Sequence, residues 1–255
     1  MNSNIIIDKD IYLTKSSMDN KNSLVEFLND KEIFQQTLRI PFPYTESDAE
    51  ANINFNINFE IKKGSFVIFK GVSGSGKSTL LSILSTISKP SFGEILFDKE
   101  PVSKYPDIHA SNFRAKNIGY IFQSFNLFED LTVFVNVSLP LIPLGFSQKD
   151  IDKKVEEILT LSNILHKKDE IVSNLSGGEK QRCAIARALI NNANTILCDE
   201  PTSSLDYENS MNFVKTLKEL KESGKTIVVA THDPIFFELD FIDKVFELKN
   251  GVLVE

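Results

Sequence analysis

The chain has 255 residues and a mass of 28.7 kDa, a length that suits one or two domains with a substantial core. Its 42% apolar and 25% charged residues exclude general disorder. The formal charge of −7, from 28 basic and 35 acidic residues, argues against a nucleic-acid partner.

The N-terminal text, MNSNIIIDKDIYL, has no basic stretch and only a three-residue apolar run, so it does not read as a secretory signal. The first 50 residues carry nine acidic and five basic side chains, more acidic than the remainder, and a break is expected near 47–52, after the turn-prone Pro41-Phe42-Pro43. From there Ile53, Phe55, Ile57, Phe59 and Ile61 alternate with polar residues, the period of a strand with one buried face. Lys63-Gly64 reads as a turn, and Phe66–Phe69 as a strand buried on both faces. A Gly/Ser loop and a helix over 79–87 follow. Further strands are predicted at 94–98, 118–122, 195–199, 226–231 and 244–248.

Between 130 and 176 no strand pattern is evident, and a helical insert is expected. Its most apolar part, Thr132–Phe146, is 15 residues long and holds two prolines, too short to span a membrane. Ile151, Val155, Ile158, Leu159 and Leu165 mark a helix over 149–166. Met211, Val214, Leu217 and Leu220 mark another over 208–223, with Gly224 as its stop. Cys183 and Cys198 lack metal-ligand spacing and agree with a reducing compartment. Strands alternating with helices give an α/β fold with a mainly parallel sheet.

Two segments carry phosphate chemistry. Gly71-Val72-Ser73-Gly74-Ser75-Gly76-Lys77-Ser78-Thr79 lies between a predicted strand and a predicted helix and fits G-x-x-x-x-G-K-[ST]. Glycines let backbone N–H groups curl around phosphate oxygens, and the helix start faces the same anion. Lys77 can reach the terminal phosphates, and the Ser78 hydroxyl can ligate Mg²⁺. The apolar run Thr195–Cys198 ends in Asp199-Glu200. Alone, that is a common strand end. After a phosphate loop, Asp199 is placed for Mg²⁺ and Glu200 to polarise an attacking water.

A third segment narrows the reading. Leu175-Ser176-Gly177-Gly178-Glu179-Lys180-Gln181-Arg182 opens the next apolar helix, and this phrase resembles the signature of the ATP-binding-cassette family. Ser176, Gly177 and Gly178 would offer a second phosphate-binding surface. The resemblance extends to Gln123, like the family's Q-loop glutamine facing Mg²⁺ and the attacking water. It also covers Ser204-Leu205-Asp206, like the D-loop, and His232, like the switch histidine. His109 and His166 match no motif and are expected on the surface. The resemblance covers about residues 53–255, some four-fifths of the chain.

It implies a RecA-like P-loop core with a helical subdomain at about 124–175. It implies ATP and Mg²⁺ as ligands and a head-to-tail homodimer, with each ATP between the 71–79 loop of one copy and Ser176–Gly178 of the other. An integral-membrane permease would dock near the Q-loop and hold the cytoplasmic chain at the membrane's inner face. Phe113-Arg114, Ile118–Leu127 and Leu131–Val137 resemble the lipoprotein-releasing and macrolide-export type. Two alternatives stay open, a soluble ATPase of this family not coupled to transport and a fusion product impaired in nucleotide binding.

Residues 1–52 depart from the family pattern. Ile40-Pro41-Phe42-Pro43-Tyr44-Thr45, with Asp48-Ala49, resembles the start of N-acetyltransferases that act on ribosomal-protein N-termini, without the glycine motif that binds acetyl-CoA. Tyr44 and Tyr12 are the candidates for stacking on adenine. The departure predicts an incomplete first sheet, poor cover for Phe55 and its neighbours, and weak nucleotide affinity.

Overall fold

A computed structural model describes residues 59–91 and 93–254. The sequence break at 47–52, Tyr12, Tyr44, Phe55 and the acetyltransferase-like text all lie outside these residues.

Six strands form one sheet: β1 (Phe66–Lys70), β2 (Ile118–Ile121), β3 (Thr195–Asp199), β4 (Thr226–Thr231), β5 (Lys244–Lys249) and β6 (Val252–Val254), in the order β2-β3-β4-β1-β5-β6. All neighbours are parallel except the β5–β6 hairpin at the edge. Among the described residues six α-helices accompany them: α1 (Lys77–Leu84), α2 (Asp107–Asn117), α3 (Val133–Ser138), α4 (Gln148–Leu161), α5 (Gly177–Leu189) and α6 (Tyr207–Glu222).

The central strands are apolar throughout because both faces are covered. Along β1, Val67 and Phe69 enter a core with Leu80, Leu81 and Leu84 of α1, while Phe66 and Ile68 enter another with Phe213, Val214 and Leu217 of α6. Phe59 and Ile61 join the first core. Phe59 packs edge-on against Phe69 at 4.9 Å and against Phe246 at 5.3 Å. The expected poor cover around Phe55 is therefore not found at these two neighbours, which are 5% and 0% exposed.

A third core joins α3, α4 and α5 through Val133, Val137, Val155, Leu159, Cys183 and Ala186. The helix predicted to 166 ends at Leu161, because Asn163 takes a left-handed backbone (φ 52°) and Leu165 starts a short 3-10 turn. The strand predicted at 94–98 is not formed. Ile95 and Phe97 are buried as the alternation requires, but Asp98 and Lys99 both have positive φ and turn the chain back into a single Phe97–Glu100 bridge. The Ile95 amide donates instead to the Ser103 hydroxyl at 2.9 Å.

β6 is a strand beyond those the sequence predicts. Asn250 and Gly251 have φ of 48° and 79°, the pair of left-handed residues that a two-residue hairpin turn needs. The turn braces the phosphate loop, since the Gly251 amide donates to the Ser75 carbonyl at 2.9 Å. No helix among the described residues is long and apolar enough to cross a membrane.

Candidate active site

The strand order brings the carboxyl ends of β1, β3 and β4 side by side, where an open parallel sheet binds its ligands. Residues 71–76 leave β1 and turn into α1. Gly71 lies so close to β5 that a Cβ there would stand 2.4 Å from the Leu248 carbonyl oxygen, so only glycine fits. Gly76 caps α1 with φ 101°, and no side chain caps that helix N-terminus. Its first turn contains no acid of its own, so no side chain of the helix start neutralises the positive end of the α1 dipole.

Lys77 is 5% exposed. Its ammonium donates to the carbonyls of Gly71 at 2.7 Å and Val72 at 3.1 Å, and lies 3.1 Å from Glu200 Oε1. The Ser78 hydroxyl donates to Asp199 Oδ1 at 2.9 Å. Burial pushes the Asp199 carboxyl up, the Ser78 hydrogen bond opposes this, and adjacent Glu200 adds to the rise.

Glu200 collects four partners. Oε1 meets Lys77 and, at 2.9 Å, His232 Nδ1. Oε2 accepts from the Thr231 hydroxyl at 3.1 Å and the His232 amide at 3.2 Å. Burial pushes this carboxyl up, but the His232 and Lys77 bonds outweigh it and hold it below the ordinary glutamate value. Its backbone is left-handed, φ 44°, a cost typical of functional turns.

Of the residues singled out in the sequence, Lys77, Glu200 and His232 form one bonded set and Ser78 and Asp199 a second, adjacent to it along both chain segments. Gln123 joins neither. The register that sets Ile121 opposite Cys198 takes Gln123 to the same sheet edge, but its side chain is exposed and makes no hydrogen bond among the described residues. The turn after it is held from α5, where the Arg187 guanidinium donates to the carbonyls of Phe125 and Asn126. Ser73 and Gly74 line the exposed side of the loop, Ser75 is buried beneath it, and Thr79 follows Ser78 in α1.

Ser176, Gly177 and Gly178 form a separate corner. Ser176 N-caps α5, and Glu179 completes a capping box by accepting the Ser176 amide at 2.8 Å. That backbone bond is the main cause holding the Glu179 carboxyl below its ordinary value. Ser176 and Gly177 are exposed and share a cleft of about 330 Å³ with Ser204, Leu205 and Asp206. A Cβ on Gly178 would sit 2.8 Å from Asn209 Oδ1, and Asn209 is oriented by donating to Asp206 Oδ2 at 2.9 Å. Asn209 therefore joins the two motifs, a role that sequence pattern alone does not mark. His109 and His166 are exposed, as expected.

Comparison with known proteins agrees with this geometry. The ABC transporter family profile matches residues 55–203. An ABC transporter ATP-binding protein of unassigned role from Thermotoga maritima is 42% identical over 196 residues, 76% of this chain and 82% of the relative. The macrolide export ATP-binding/permease protein MacB of Campylobacter fetus is 41% identical over 195 residues, again 76% of this chain. The chain spans only 30% of that relative's length. Among solved structures, the dimeric post-hydrolysis state of the ATP-binding cassette MJ0796, bound to ADP and Pi, superposes with a TM-score of 0.72. Its identity is 39%, over 78% of this chain and 88% of that one. The family profile begins at residue 55, so it lends nothing to the acetyltransferase resemblance of residues 1–52.

Proposed function

The chain belongs to the ABC transporter family as an ATP-binding cassette, and from that premise we propose that two copies close around two ATP molecules and drive a membrane permease by hydrolysis. The supporting observation is the bonded cluster at the ends of β1, β3 and β4, in which Glu200 meets both Lys77 and His232.

In this reading, the N–H groups of residues 74–79 and the Lys77 ammonium bind the terminal phosphates. Gly71 and Gly76 give the loop its shape. The Ser78 hydroxyl and Asp199 carboxylate are adjacent hard oxygen donors, a pair that fits Mg²⁺ and would hold it. Bound there, Mg²⁺ would neutralise charge on the phosphates. Gln123, two residues beyond the end of the neighbouring strand β2, would swing toward the same oxygens. Glu200, ionised at neutral pH, accepts a proton from the water that attacks the γ-phosphorus as ADP leaves, and His232 contacts the γ-phosphate. Ser176, Gly177 and Gly178 present a hydroxyl and two amides outward, to the nucleotide of the other copy.

The helices between 124 and 175 act as a subdomain around α3 and α4. They would meet the permease, which would in turn bring the chain to the cytoplasmic face of a membrane. The macrolide-export relative, an ATP-binding/permease protein, supports an export role, and a lipoprotein-release role rests on the sequence resemblance alone.

The test is Glu200→Gln in the full chain. It is expected to lower kcat for ATP by at least about 100-fold while nucleotide still binds. Turnover near the native rate would remove Glu200 from the proposed role.

A further inference from the structure

The reading of Glu200 as base leaves open what aims its carboxylate. Of its four partners, Lys77 and His232 Nδ1 belong to groups that the proposed chemistry turns toward phosphate. Both bind Oε1. The bonds on Oε2, from the Thr231 hydroxyl and the His232 amide, involve no group with another task. They matter more here because the left-handed backbone of Glu200 interrupts the regular course of β3.

Thr231 is itself constrained. It is fully buried at the end of β4, and its hydroxyl oxygen accepts the Asp233 amide at 3.0 Å. A hydroxyl has one proton, and this acceptance on a lone pair leaves that proton for Glu200. Asp233 is fixed in turn: Oδ2 accepts the Thr202 hydroxyl at 2.6 Å and Oδ1 accepts the Ile235 amide at 3.1 Å. Thr202, 4% exposed, lies two residues after Glu200. The bonds close a ring from Glu200 through Thr202, Asp233 and Thr231 back to Glu200, joining the turn after β3 to the turn after β4.

We infer that Thr231 is a positioning residue for Glu200, and that the Thr202–Asp233 bond locks Thr231 in its donating orientation. The inference rests on the proposed role of Glu200 and adds to it a side chain that touches neither phosphate nor metal ligand.

Four full-length proteins test it: native, Thr231→Val, Thr231→Ser and Glu200→Gln. Valine keeps the shape and removes the hydroxyl, whereas serine restores it. Thr231→Val is expected to lower kcat for ATP about 10- to 100-fold with KM changed less than about threefold. Thr231→Ser should recover most of the rate. Adding Thr231→Val to Glu200→Gln should cause no further loss. A native rate in Thr231→Val, with Glu200→Gln inactive, would overturn the positioning role alone. A native rate in Glu200→Gln would overturn the reading beneath it. If turnover is too slow to compare, exchange of the His232 amide proton serves instead. It should quicken in Thr231→Val and not in Thr231→Ser, and equal exchange in both would contradict the proposal.

Discussion

Two helix N-termini in this chain follow Ser/Gly text, and the protein treats them in opposite ways. The start of α1 has no side-chain cap and no acid in its first turn, and Lys77 is its first residue. The start of α5 is capped by its own Ser176, and its third residue is Glu179, bonded back to the Ser176 amide. The first end keeps its positive field for an anion, while the second satisfies much of its own. The first also stands beside a complete set of side chains from β3 and β4. The second faces solvent beside Ser204–Asp206, and among the described residues none of Lys77, Glu200 and His232 is bonded to it. In the proposed reading, one chain contains a nearly complete phosphate site and a separate corner that takes its nucleotide from elsewhere. That division is the physical case for a second copy.

The largest break in this comparison should come from Lys77→Met. It removes the buried partner of the Glu200 carboxylate as well as the phosphate contact. Hydrolysis should fall by more than about 100-fold, and unfolding free energy should fall by about 3 kcal/mol. Denaturant unfolding of Lys77→Met and of Lys77→Met with Glu200→Gln checks the cause. The double variant should regain part of the stability, since no unpaired carboxylate remains.

Gly178→Ala attacks the other corner. Its Cβ would push the Asn209 side chain off its present position and, by disturbing that corner, should weaken ATP-dependent pairing about tenfold. Nucleotide affinity of the single chain should not change. Adding Asn209→Ala should restore part of the pairing, as read by sedimentation.

Ser176→Ala should cost about 1 kcal/mol of stability through loss of the cap. Thermal denaturation would show this without nucleotide.

The smallest effect is a pH dependence. The Glu200 carboxyl is held below its ordinary value, so its stabilising contribution is complete above the unfolded glutamate pKa and is lost as pH falls through the lower folded value. The Tm difference between native protein and Glu200→Gln should therefore shrink on acidification. A difference that is constant with pH would contradict that assignment.

Much of this arrangement was legible in the sequence, and for identifiable reasons. Doubly buried strands such as Ile196–Cys198 and Ile227–Ala230 are apolar runs of strand length, and the phosphate loop is marked by Gly71, whose Cβ would collide with the Leu248 carbonyl, and by Gly74 and Gly76, whose φ is positive. The failures lie where backbone sign or tertiary pairing decides. The 94–98 text alternates like a strand, yet Asp98 and Lys99 fold it back at once. Asn250-Gly251 was a readable hairpin signal that β5 alone concealed. Thr231, Asp233 and Asn209 could not be assigned from the sequence. The Thr231 and Asp233 bonds to Glu200 and Thr202 exist only because β4 lies beside β3, and Asn209, held locally by the Asp206 cap, reaches Gly178 only because α6 starts against the Ser176 corner.

The central claim is that the Ser176–Gly178 corner is completed by the nucleotide of a second copy. Its most direct test is the solution mass of Glu200→Gln protein by light scattering, with and without ATP and Mg²⁺, alongside a direct measure of bound nucleotide. The account predicts a monomer that becomes a dimer when ATP is added. A protein that binds ATP and remains a monomer would contradict it.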